Sequence, residues 1–84
     1  MGMGMEVEVP VWIICNEKKT RFINPKTKQV EKEMTEKCII RSPDEAIILL
    51  RDMDPGFVIM TAKHLVGVNT SKIWGLKPFS GRKI

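Results

Sequence analysis

Residues 11–15, VWIIC, constrain this chain more than any other stretch. Five consecutive apolar residues, most of them strand formers, leave no polar side for water. Successive side chains of a strand point to opposite faces, so a strand built from these residues is covered on both. The expectation is a central strand. The EVEV before it alternates cleanly, but Pro10 has no N–H to give a ladder. Pro10 marks a break or a place where the strand meets an edge.

The next elements are short. NEKK, residues 16–19, is a polar turn, and TRFIN after it reads as a short strand. NPKT, residues 24–27, has Asn at the first position and Pro at the second, as a type I turn prefers.

From Gln29 to Arg41 two periods compete. Val30, Met34 and Cys38 stand four apart, which suits a helix and a strand alike. The residues that would widen a helical stripe, Glu33 and Lys37, are charged. Val30, Met34, Cys38 and Ile40 alternate with Glu31, Glu33, Thr35, Lys37 and Arg41, so the pattern predicts a long strand over 29–41. Lys32 and Glu36 break its apolar face and place the end near the turn beyond the core.

Residues 41–56, RSPDEAIILLRDMDPG, carry a start signal, an apolar body and a stop signal. Ser42 is a good N-cap, Pro43 suits the first helical position, and Glu45 completes a capping box. Asp44 and Glu45 complement the positive end of the helix dipole. Ala46, Ile47, Leu50 and Met53 form the expected inward face, Leu49 flanks it, and DPG ends the helix. Ile48 is left pointing partly outward.

GFVIMTAKHLVGV, residues 56–68, reads as one long strand or two meeting near Lys63. Val58, Met60, Ala62, Val66 and Val68 make its apolar face, which His64 interrupts. A lone histidine there is more often hydrogen-bonded or at the rim than a ligand or a catalyst. The remainder, residues 69–84, mixes Gly, Pro, Lys and aromatics. It is expected to be an irregular basic tail, with a short helical turn at 71–74.

The whole chain of 84 residues is read as one domain, 1–84, with residues 1–5 flexible. The expected class is α+β: a small, mostly antiparallel sheet of about four strands in the order β-β-β-α-β, with one helix on one face. A right-handed crossover through the helix would make strands 29–41 and 57–68 parallel. The second sheet face would then be wet, covered by the tail or buried in a homodimer, so monomer and dimer both stand.

Net charge is +4 and unevenly spread. Residues 16–41 carry eight Lys/Arg against four Glu, and residues 61–84 carry five Lys/Arg and no acid. The helical stretch between them is acidic. No apolar run approaches the roughly 20 residues that cross a bilayer, and no membrane partner is expected. The start, MGMGMEVEVPVW, has no basic region and carries acids early, so cytoplasmic residence is expected. Cys15 and Cys38 then read as free buried thiols. With His64 they offer at most three soft ligands and no C-x-x-C, so neither a metal nor another cofactor is expected. There is also no phosphate loop, nucleophile elbow or histidine pair, which argues against an enzyme.

Two basic segments are candidate contact surfaces. The hairpin offers Lys18, Lys19, Arg21, Lys26 and Lys28 around Phe22, and the tail offers Lys72, Trp74, Lys77, Phe79, Arg82 and Lys83. Bases interleaved with aromatics can follow a phosphate backbone and stack on a nucleobase. Lysines also protect sheet edges from aggregation, and Trp74 could fold back over the open sheet face as a lid. The piece RSPDEAIILL…DPGFVI resembles the strand–helix–strand pattern of many small domains, including some phage-encoded inhibitors of bacterial RNA polymerase. It covers under half of the chain and assigns no site. Two functions follow as expectations: a non-enzymatic module binding nucleic acid through hairpin and tail, or an inhibitor or adaptor, of the kind mobile elements carry, docking on a host protein through the open sheet face, Ile48 or the tail aromatics.

Overall fold

The computed structural model describes residues 6–67, 69 and 71–79, and it is an α+β fold. In chain order the elements are β1 (Val7–Asn16), β2 (Phe22–Ile23), β3 (Val30–Glu31), a 3-10 turn (Glu36–Cys38), α1 (Pro43–Arg51), β4 (Phe57–Val66) and β5 (Ser71–Pro78). The strands form one sheet in the order β3-β2-β1-β4-β5, with every neighbouring pair antiparallel.

The VWIIC stretch lies in the central strand, as its composition demands. Val11, Ile13 and Cys15 point to one face, where they pack with Phe22, Cys38, Met60 and Ala62. Ile14 points to the other face and packs with Ile23, Ile40, Ala46 and Leu49. Each fully buried isoleucine stabilises the fold by roughly 1.5–3 kcal/mol. Pro10 sits inside β1, opposite Lys63. The N–H groups of Trp12 and Asn16 point away from β4, towards Ile40 and Arg21. The side of β1 that Pro10 leaves without a donor is therefore the one away from β4, the edge position expected of it.

Both connecting turns form around asparagines. Asn16 Oδ1 accepts from the Thr20 and Arg21 N–H groups at 2.8 and 3.0 Å. Asn24 Oδ1 accepts from Lys26 N–H at 2.9 Å, and Asn24 O accepts from Lys28 N–H. Lys19 and Lys28 take left-handed backbone conformations, φ 61° and 64°.

The expected long strand over 29–41 does not form. Only Val30 and Glu31 form a strand, paired with Ile23 and Phe22. Thr35 Oγ1 then accepts from Lys37 N–H at 3.2 Å and starts the 3-10 turn. Met34, Cys38 and Ile39 lie over the Val11–Ile13–Cys15 face. The alternation was real, but burying these side chains over a sheet face won over extending a strand past Lys32 and Glu33. This segment, with Ile73 and Leu76 of β5, covers the face that the sequence left open. Ile40 returns to the edge of β1 as a single bridge to Trp12.

The parallel crossover is likewise absent. β4 pairs with β1 along ten positions, Val7↔Val66 through Asn16↔Phe57, so β1 and β2 separate β3 from β4. Val68 lies outside the described residues. Helix α1 forms where its signals placed it, against β1 and β4. Nine residues would not hold a helix alone in water, so packing holds it. Ala46, Leu50 and Met53 pack inward as expected, while Leu49 rather than Ile47 completes the buried face. Ile48 is 60% exposed. Ser42 occupies the N-cap position with no side-chain cap bond, so the capping box does not close.

Residues 71–78 of the expected irregular tail are regular, and the expected helical turn at 71–74 is extended. Ser71–Pro78 is a fifth strand, paired to β4. Its period is interrupted between the pairs Lys63↔Trp74 and Thr61↔Lys77, where β5 carries one extra residue. Gly75, at φ 74°, supplies the left-handed conformation that such a bulge uses. This irregularity breaks the alternation that marks a strand in the sequence.

Candidate functional site

The antiparallel registers bring three rows of side chains together on one sheet face. Paired residues share a face, so Glu8, Leu65 and Lys72 form one row, and Pro10, Lys63 and Trp74 the next. Trp12, Thr61 and Lys77 form the third. This is the helix side, but α1 covers only the part built on Ile14, Phe57 and Ile59. Glu8, Pro10, Lys63, Lys72, Trp74 and Lys77 are all exposed.

Gly75 decides the composition of this face. With the extra residue, Leu76 turns to the core on the other side and Lys77 joins Trp74 on the open side. Trp74 is 39% exposed and belongs to neither core cluster, so it is not a lid. Phe79 instead closes the lower border. Its N–H donates to Ile59 O, and its ring stands edge-on to Trp12 at 6.3 Å between centroids.

The other candidate residues fall elsewhere. Phe22 is 6% exposed and packed in the core, so its ring offers no face to a base. Lys18, Lys19 and Arg21 are exposed at the β1–β2 turn. Lys26 and Lys28 belong to the β2–β3 turn, while β5 lies at the opposite edge of the sheet. Lys28 lines a shallow cleft with Glu45, Asp52 and Ile48, in mixed-sign surroundings. Among the described residues, Lys26 and Lys28 therefore stand apart from Lys72 and Lys77. Arg82 and Lys83 lie outside the described residues. Lys63 carries no local signal of a contact residue, because nothing near it in the sequence reveals its strand partner. The signal for β5 was present in the order Lys72, Trp74, Gly75, Lys77, once a glycine bulge is allowed.

Two further clusters bear on chemistry. His64 is 4% exposed, and its Nε2 lies 3.0 Å from Ser71 Oγ. Ser71 Oγ in turn donates to the Glu36 carboxylate. The Ser71 hydroxyl thus bridges the His64 ring and the Glu36 carboxylate. His64 Nδ1 has no partner. A nucleophilic triad needs the imidazole between hydroxyl and acid, with the acid orienting it. Here the hydroxyl is in the middle, and the set ties the 3-10 turn to β4 and β5. The hydrogen-bonded reading of His64 therefore holds.

Cys15 and Cys38 are buried free thiols. Burial pushes the Cys15 thiol above its ordinary value, with Lys19 partly offsetting the rise, so it stays protonated and unreactive at neutral pH. Among the described residues no three His, Cys, Asp or Glu side chains come together to hold a metal ion. No described helix is long and apolar enough to cross a membrane. The chain matches no family model, no curated protein and no solved structure.

Proposed function

We propose that this protein is a non-enzymatic module that binds nucleic acid across the β1–β4–β5 face, using Lys63, Lys72 and Lys77 on phosphates and Trp74 on a base. One observation carries this reading: three exposed lysines surround an exposed tryptophan on a part of the sheet that the helix leaves bare. Lysine contacts with phosphate release condensed counterions, and an aromatic ring on the same surface adds stacking. Glu8 stands at the corner of the face away from Lys72, across Leu65, and bounds the basic area. Titration of labelled oligonucleotides at low salt tests the reading. Replacing Lys63, Lys72 and Lys77 together by Gln abolishes binding, whereas Lys26→Glu with Lys28→Glu weakens it far less. Wild-type protein that binds no oligonucleotide overturns the proposal.

A second reading has its own observation. Ile48 is 60% exposed, in the cleft with Pro25 and Leu49. An exposed isoleucine beside a proline is a fitting anchor for a protein partner. Capture of one particular protein that Ile48→Asp abolishes, insensitive to salt and nuclease, would favour this adaptor or inhibitor role.

A further inference from the structure

Resting on that reading, we infer that the ligand is an unpaired strand, DNA or RNA, and that Trp74 selects it over duplex by stacking on an exposed base. The width of the face excludes the usual route into a duplex. A major groove about 12 Å wide admits one helix or a two-stranded ribbon. Here Lys63, Trp74 and Pro10 span three adjacent strands. Three strands at about 4.8 Å spacing already measure about 10 Å between outer backbones. Side chains and the neighbouring helix α1 make the body wider still.

The arrangement around Trp74 points the same way. Lys72 lies two residues before it on β5 and shares its face. Lys77, brought round by the Gly75 bulge, follows on the same face, and Lys63 is the direct cross-strand neighbour of Trp74. A ring in this position has cationic groups on both sides along the strand and on the next strand. A base resting on the ring would have its flanking phosphates among these lysines. Pro10, exposed in the same row, offers an apolar flank rather than a competing charge. Paired bases hide their faces inside the duplex stack, whereas an unpaired base presents its π-face to an aromatic side chain. Three lysines on duplex phosphates would bind without using Trp74 at all.

The test compares labelled oligothymidylate, oligouridylate and a duplex of equal length by fluorescence anisotropy, with wild type, Trp74→Ala and Trp74→Phe. Both single strands bind more tightly than the duplex. The logarithm of the association constant falls with log salt at a slope of about −2.1, from three contacts at about −0.7 each. Trp74→Ala weakens single-strand binding by about 5- to 140-fold and leaves duplex binding unchanged. Trp74→Phe restores part of the loss, because it keeps an aromatic face. Trp74 is in neither core cluster, so circular dichroism of these variants matches wild type. Different affinities for the thymidylate and uridylate arms assign the strand to DNA or RNA. Equal binding of duplex and single strand, or an unaffected Trp74→Ala variant, overturns this inference while nucleic-acid binding through Lys63, Lys72 and Lys77 stands. Absence of binding to all three probes overturns both.

Discussion

Phe22→Ala separates a core residue from a contact residue. Phe22 is 6% exposed and packs with Val11, Ile13, Cys15, Cys38, Met60 and Ala62. A phenylalanine buries about 150–250 Å², so at about 25 cal/mol per Å² its ring contributes about 4–6 kcal/mol as an upper bound. Truncations of this kind cost about 3–5 kcal/mol once the cavity is included. At roughly 0.05–0.15 kcal/mol per residue, the stability of a chain this size is about 4–13 kcal/mol. Phe22→Ala therefore removes a large share of it and unfolds a substantial fraction of molecules if the wild type lies near the lower end. Phe22→Leu keeps the apolar contact and most of the volume, and it stays folded. Urea unfolding followed by tryptophan fluorescence measures both variants, and oligonucleotide titration follows on Phe22→Leu. The expected outcome is a large loss of stability for Phe22→Ala and wild-type binding for Phe22→Leu. A loss below about 1 kcal/mol for Phe22→Ala, or weakened binding by a fully stable Phe22→Leu, would refute the core assignment.

Three further outcomes are expected. Cys15 reacts slowly with a thiol reagent in the native protein at neutral pH. Because its folded pKa is raised, the resulting stability is fully present below the ordinary thiol value of 9.0 and is lost as pH climbs above it; a flat unfolding midpoint across that range would contradict the burial. Ser42→Ala, which removes no side-chain cap bond, costs less than about 0.5 kcal/mol, and a larger shift in urea midpoint would restore the capping box. Gly75→Ala meets no atom within 4 Å, so its cost is conformational, about 1–2 kcal/mol for a left-handed backbone, with Gly75→Asn costing less. Unchanged stability in Gly75→Ala would mean that β5 accommodates a different register.

Local chemistry determined several features of this protein. VWIIC is apolar at every position, so its strand had to be central whatever its partners were. Helix α1 was legible because Pro43, the first-turn acids and DPG each act on the backbone immediately beside them. The asparagine turns and the buried thiols were legible for the same reason. Other features depended on partners distant in sequence. The segment 29–41 alternates like a strand, but Met34, Cys38 and Ile39 gain more by covering the β1–β4 face. Phe22 sits among lysines in the chain, yet its register opposite Cys15 points its ring into the core. Trp74 lies in a tail rich in Gly and Pro, yet pairing with Lys63 and the bulge at Gly75 turn it outward beside Lys72 and Lys77. Alternation divides a strand into two faces without saying which one is covered. That choice belongs to strand order and register, and a one-residue shift reverses it. The candidate surface could therefore be assembled only once β1, β4 and β5 stood side by side.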